Sequence, residues 1–212
     1  MIPTKFAKPS SRFLPLAWFS IVLGFAFGLS PALASATENL QVKSDIIDLM
    51  LCYGKGTDTF GEPGNPDAFV DGLEIYKECF TEDAVFNLWP AGTDFNDDPP
   101  VTVEGPDAWA QYIVDPSVPR DPATGLSISR GQHMLSNFIV ETNGGTGTLT
   151  AYLSATRTVF DPSAENPASG TVTNVSVASG TYTLYVEKIR GKWMVKQLDL
   201  KLISFSDYFS AD

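Results

Sequence analysis

Apolar residues recur at helical spacing from Thr37 to Tyr53, where Val42, Ile46, Met50 and Tyr53 form a stripe that Ile47 and Leu51 widen. Gly54 and Gly56 follow and predict the end of that helix, with a loop over 57–64. Asn65-Pro66-Asp67 reads as a second helix start, with Asn as N-cap, proline in the first turn and an acid near the positive dipole end. Phe69, Leu73, Tyr76 and Phe80 are its apolar stripe. The pattern then switches to alternation. Ala84 to Trp89 reads as a strand, 90–100 as an acidic loop and Val101-Thr102-Val103 as a short strand. Gly105-Pro106 opens a third short helix carrying Trp109, Tyr112 and Ile113, and a proline-rich loop covers 115–127.

Beyond that loop the chain reads as strand throughout. Gln132–Glu141 and Thr148–Phe160 are joined by Asn143-Gly144, a hairpin signal. Thr171–Lys188 follows with Gly180 as a bulge, and Arg190-Gly191 turns into Lys192–Phe205. Helices first and long strands afterwards predict an α+β domain, a cone-shaped, curved antiparallel sheet wrapped around about three N-terminal helices. Such a cone leaves an apolar pocket suited to small ligands.

The first 36 residues change the picture of the rest. Lys5, Lys8 and Arg12 precede an apolar run from Phe13 to Leu29, and Pro31-Ala32-Leu33-Ala34-Ser35-Ala36 follows. This is the layout of a signal peptide, with cleavage expected after Ala34 or Ala36; an uncleaved anchor is the alternative. The expected product is a secreted or periplasmic domain of residues 37–212. The whole chain has 14 Lys+Arg and 25 Asp+Glu. Three of the basic residues and none of the acids fall in the leader, so the mature domain has 11 basic residues against 25 acidic and a net charge of −14. A surface this acidic repels phosphate backbones, and nucleic acid is not an expected partner.

Cys52 and Cys79 are an even pair that an exported chain can oxidise; two buried thiols are the other reading. One histidine and two separated cysteines build no metal site, and none is expected. Asp94-Phe95-Asn96-Asp97-Asp98 lacks the glycine and terminal glutamate of an EF-hand loop and reads as solvated. Asn174-Val175-Ser176 is a glycosylation sequon.

The candidate chemistry centres on Gly131-Gln132-His133-Met134-Leu135-Ser136-Asn137-Phe138, which holds the only histidine in the chain. Imidazole titrates nearest neutrality of the side chains and is a ready proton carrier. Strand alternation puts His133, Leu135 and Asn137 on one face, expected to be the concave one.

With Tyr53-x4-Asp58, Cys79-Phe80-Thr81-Glu82-Asp83-Ala84-Val85, Gly180-Thr181-Tyr182-Thr183 and the Gly191-Lys192-Trp193 hairpin, these residues resemble the SnoaL-like family of the nuclear-transport-factor-two-like superfold, over about Leu40 to Phe209. The likeness extends to scytalone dehydratase, bile-acid 7α-dehydratase and hexachlorocyclohexane dehydrochlorinase, all cofactor-free elimination enzymes. It implies that His133 and Asp58 form a proton-moving dyad and that Tyr53 is an auxiliary acid. Leu198 stands where the dehydrochlorinase has a last-strand arginine, and Thr156 where the bile-acid enzyme has an acid on the second long strand. Phe86, Leu88, Trp89, Trp109, Tyr112, Leu135, Asn137, Tyr152, Thr156 and Tyr182 are the expected ligand-binding residues. The expected function is that of an exported, cofactor-independent lyase (dehydratase) or isomerase acting on a hydrophobic, ring-containing hydroxy or carbonyl compound. A non-catalytic binding domain and a dimerising interaction module are the alternatives. The expected partners are a small hydrophobic molecule and further copies of the chain, as dimer or trimer.

Overall fold

The computed structural model describes residues 31–114, 123, 125, 127–161 and 172–209, with side chains from residue 38 onward and up to 208. The expected leader therefore lies almost wholly outside the described residues, as do most of the 115–127 loop and residues 162–171. The elements are α1 (Pro31–Phe60), α2 (Ala68–Cys79), β1 (Phe80–Trp89), β2 (Val101–Glu104), α3 (Pro106–Val114), β3 (Ser129–Asn143), β4 (Thr146–Phe160), β5 (Val172–Ile189) and β6 (Lys192–Phe209). Among the described residues no helix is long and apolar enough to cross a membrane.

The first helix is longer at both ends than its apolar stripe predicts. It does not stop at Gly54 and Gly56, and 57–60, expected as loop, is its last turn. Both glycines are there for packing. A Cβ on Gly54 would lie 3.1 Å from Leu135 Cδ1, and one on Gly56 would lie 2.5 Å from the Tyr76 ring. Gly72 on α2 answers Gly56, since a Cβ there would meet Phe60 at 2.6 Å. Missing side chains thus let α1 lie close to both β3 and α2. The consequence for the site is direct: Asp58 is held in a helix rather than on a loop.

The second helix begins at Ala68, with Asp67 rather than Asn65 as its N-cap. Asn65 still organises the entry, because its Oδ1 accepts the Asp67 N–H at 2.9 Å in the manner of an Asx turn. The Cys52–Cys79 disulfide ties the middle of α1 to the end of α2, deciding between the two cysteine readings.

The six strands run in the order β2-β1-β6-β5-β4-β3 and form one curved, unclosed sheet. It is mixed rather than wholly antiparallel, because β1 and β6 pair in parallel. These two strands are far apart in sequence and are not joined by a hairpin, which frees them from antiparallel pairing. The Asn143-Gly144 hairpin and the break in register at Ser179/Gly180 occur where the sequence predicts them. Ile46, Leu49, Met50 and Tyr53 of α1 pack on Leu149, Ala151, Leu184, Val186, Val195 and Leu198 of the sheet, all buried. One end of the sheet's inner face is left open, and the cavity lies there.

Candidate active site

The cavity is built from cross-strand rows. His133, Ala155, Ala178 and Phe205 stand side by side across β3, β4, β5 and β6. The next row inward is Leu135, Leu153, Gly180 and Leu202, of which Leu153 and Leu202 line the cavity. Two alanines beside the imidazole leave the space that larger side chains would fill. The result is a hollow of about 440 Å³, within the usual range of small-molecule sites. Tyr53 and Thr57 of α1, Trp109 and Ile113 of α3, Leu88, Tyr182 and Leu200 complete its deeper wall.

His133 Nδ1 lies 2.6 Å from Asp58 Oδ1, and the His133 backbone N–H donates to Asp58 Oδ2 at 3.1 Å. A carboxylate in that position accepts from Nδ1–H and leaves Nε2 as the nitrogen open to a ligand. The two members occupy different surroundings. The His133 side chain is 13% exposed and forms part of the cavity wall, while Asp58, 32% exposed, lines a second cleft between α1 and β3 with Gly54, Lys55 and Arg130. His133 borders both spaces.

Tyr53 is buried at the base of the cavity. Its ring stacks on Tyr76 at 5.5 Å, meets Tyr182 edge-on at 5.1 Å and stands 6.3 Å from the His133 ring. Burial raises its phenol pKa, opposed mainly by a hydrogen bond with Tyr182. The group stays protonated at neutral pH and is a donor. Tyr76 O–H donates to Thr57 Oγ1 at 2.6 Å, and Thr57 in turn donates to the Tyr53 carbonyl at 2.9 Å, so the Tyr76 phenol is tied to the last turns of α1.

The expected ligand-binding residues divide. Leu88, Trp109, Thr156 and Tyr182 line the cavity. Leu135 keeps the inner face with His133 but lines the cleft between α1 and β3, packing toward Gly54, rather than the cavity. Phe86 is fully buried behind Trp109, stacked at 5.1 Å, and Tyr112 stacks on the same indole at 5.5 Å with its own ring exposed. Neither reaches the cavity, because Trp109 stands in front of one and turns the other outward. Trp89 is buried elsewhere, donating Nε1–H to the Asp97 carbonyl under the Lys201 ammonium. Tyr152 is 52% exposed on the outer face, since alternation gives the inner face to Leu153 and Ala155.

Asn137 also fails to reach the concave side. It sits at positive φ (55°) where the β3–β4 register shifts between Ser136 and Ile139, and the extra residue hands the inner face to Phe138. Asn174 of the sequon lines the cavity rather than the outer surface. The 94–98 loop is pinned by Trp89 and Lys201, and among the described residues no group of three metal-binding side chains converges.

Sequence reasoning missed Arg157, Ser176, Ala178, Leu202 and Phe205. Arg157 carried a readable signal. Counting alternate positions from Leu149 through Leu153 puts it on the inner face, one residue from Thr156. Burial lowers its pKa and the charge of Asp58 opposes the shift; guanidinium remains cationic at neutral pH.

The sequence matches the model of the SnoaL-like domain over residues 38–199. Several solved structures share the fold. A protein of Novosphingobium aromaticivorans assigned as a scytalone dehydratase superposes with a TM-score of 0.54 at 17% identity, covering 83% of this chain and 93% of that one. Hexachlorocyclohexane dehydrochlorinase LinA-type3 of Novosphingobium barchaimii LL02 gives 0.53 at 15% identity, over 84% and 99%. The Kfla4162 protein of Kribbella flavida gives 0.52 at 13% identity, over 77% and 92%. No curated protein matches in sequence. At these identities the structures speak for the fold, and the family match speaks for descent: the chain belongs to the SnoaL-like domain family.

Proposed function

We propose that the protein is an exported lyase of the dehydratase type, or an isomerase, acting without a cofactor on a hydrophobic ring compound bearing a hydroxyl or carbonyl group. The observation that carries this reading is the 2.6 Å contact between His133 Nδ1 and Asp58 at the wall of an apolar cavity. Asp58 holds the tautomer and stabilises the imidazolium; Nε2 takes the proton from an acidic C–H of the ligand. In a dehydration the C–H electron pair becomes the new π bond as the C–O bond breaks. The departing oxygen takes the Tyr53 phenolic proton and leaves as water. The imidazolium proton then restores Tyr53, so both side chains end as they began. Each positioned acid or base supplies roughly 10²–10⁴-fold in rate.

The dehydratase and dehydrochlorinase among the structural neighbours support an elimination, and the tripartite leader with the Cys52–Cys79 disulfide supports export. Exposed Met134, Ile139, Tyr152 and Ile203 on the sheet support assembly with further copies, as dimer or trimer. The test is a thermal-shift screen of steroid-like and polyketide-like hydroxy ketones, followed by turnover assays on the hits. His133→Gln and Asp58→Asn should each lose roughly 10²-fold or more. The double variant should lose far less than the two losses combined. Full turnover by His133→Gln overturns the mechanism.

A further inference from the structure

Around the Tyr53 phenol at the cavity floor stand the side chains of Tyr182, Thr57, Trp109 and Tyr76, every one a hydrogen-bond donor. Burial raises the Tyr53 pKa, and these donors oppose it, Tyr182 foremost. Two of them have already placed their protons. Thr57 donates to the Tyr53 carbonyl at 2.9 Å, and Tyr76 to Thr57 Oγ1 at 2.6 Å. Tyr182 serves the Tyr53 oxygen itself. Trp109 differs. It is 1% exposed, and among the described residues its Nε1–H meets no acceptor in hydrogen-bond geometry. Parallel stacks on Phe86 at 5.1 Å and on Tyr112 at 5.5 Å fix the indole plane, so the N–H cannot turn to find one. A buried donor in that state costs free energy, yet the fold keeps this one in the wall of the cavity, beside the Tyr53 oxygen.

We propose that Trp109 is a positioning residue for Tyr53, its fixed indole N–H bonding the phenolate oxygen that remains once Tyr53 has given up its proton. The proposal rests on the reading above, in which the departing oxygen takes the Tyr53 proton. In that step the Tyr53 O–H bond breaks, its electron pair stays on the phenolic oxygen, and the proton leaves with the water. A neutral phenol that already accepts from Tyr182 is a weak second acceptor, whereas a charged phenolate takes further hydrogen bonds readily. The Trp109 donor is therefore idle before the proton transfer and engaged after it. An interaction that is stronger in the charged state than in the resting one speeds the step that creates the charge. Because the indole plane is already fixed, no reorganisation accompanies the gain. Tyr182 on β5 and Trp109 on α3 thus supply two donors to one oxygen. When the His133 imidazolium returns a proton to Tyr53, the indole bond is released and the site resets.

The test titrates position 53 alone, with no substrate present. In the full chain 3,5-difluorotyrosine replaces Tyr53. It ionises at lower pH than tyrosine, so its fluorine signal and phenolate absorbance are read while Tyr76 and Tyr182, whose pKa values burial raises, stay protonated. Trp109→Phe keeps an aromatic ring and loses the N–H. It should lower the ionisation constant of the position-53 phenol about tenfold or more, as loss of a hydrogen bond to a charged group implies. Trp89→Phe, which removes an indole bonded to the Asp97 carbonyl instead, should leave that constant unchanged. Nitrogen-15 spectra of the indoles give a second readout, and the decisive one if Trp109→Phe does not fold. The Trp109 Nε1–H resonance should move downfield with the same midpoint as the fluorine signal, and should stay in place over that range in Tyr53→Phe. An unchanged or raised ionisation constant in Trp109→Phe, an indole resonance that does not follow the titration, or one that moves equally in Tyr53→Phe overturns the proposal. Neither measurement involves turnover, so a failure of the elimination reading, seen as full turnover by His133→Gln, is distinguishable from a failure here.

Discussion

Asp58 holds His133 twice, Oδ1 against the ring Nδ1 at 2.6 Å and Oδ2 on the backbone N–H of the same residue at 3.1 Å. One carboxylate thereby contacts both the imidazole and the backbone of the strand that carries it. Asp58→Asn keeps one acceptor and loses the charge. Nitrogen-detected NMR of the single histidine should show Nδ1–H as the dominant neutral tautomer in the wild type and a mixture in Asp58→Asn. An identical spectrum in the variant would show that the carboxylate does not set the tautomer.

Gly56 meets the Tyr76 ring where a Cβ would come within 2.5 Å. Gly56→Ala gains about 1 kcal/mol of helix propensity but overpacks the α1–α2 contact, at roughly 1–3 kcal/mol. The expected net effect is a loss of stability, read as a lower urea midpoint at unchanged slope. A higher midpoint would contradict the packing role of this glycine.

The Cys52–Cys79 bridge spans a sequence separation of 27 residues. Closing a loop of that length constrains the unfolded chain by about 3–4 kcal/mol on the chain-entropy model. Urea melts with and without reductant should differ by that order, and the denatured, unreduced protein should show no free thiol. Titration of two thiols would remove the bridge.

Burial raises the pKa of Tyr53, Tyr76 and Tyr182. The folded chain then keeps protons that the unfolded chain would release. Stability from these groups is fully present below the ordinary phenol value, near 10, and is lost as pH rises past it toward the folded-state values. Urea midpoints should fall steeply above about pH 10, and the buried phenols should ionise only as the fold opens. A midpoint flat across that range would argue against their burial.

Ala178 lies between Ala155 and Phe205 in the His133 row. Ala178→Phe should fill the space beside the imidazole, leaving the Asp58 contact in place. Ligand affinity should fall about tenfold or more with the histidine NMR signal unchanged. Retained affinity would place the ligand elsewhere.

Local patterning determined a good deal of this protein. The period switch from 3.6 to 2 marked helices before strands, Asn143-Gly144 placed the β3–β4 hairpin, and Gly180 marked a bulge, because each depends on residues close in sequence. The resemblance carried by the single histidine and the Tyr53-x4-Asp58 spacing paired His133 with Asp58, and the two side chains lie 2.6 Å apart. What adjacency in sequence does not encode is which surfaces meet. Gly54 and Gly56 read as helix stops, since propensity knows nothing of Leu135 and Tyr76, the partners that make a missing side chain useful. Asn137 was given the wrong face because one bulged residue reverses the alternation, and β-bulges are settled by pairing with β4. The parallel β1–β6 contact, the front position of Trp109 over Phe86, and the row that sets Arg157 beside Ser176 all join segments far apart in the chain. Their geometry comes from burying the faces of α1, α2 and α3 against one curved sheet, a condition only the folded chain can satisfy.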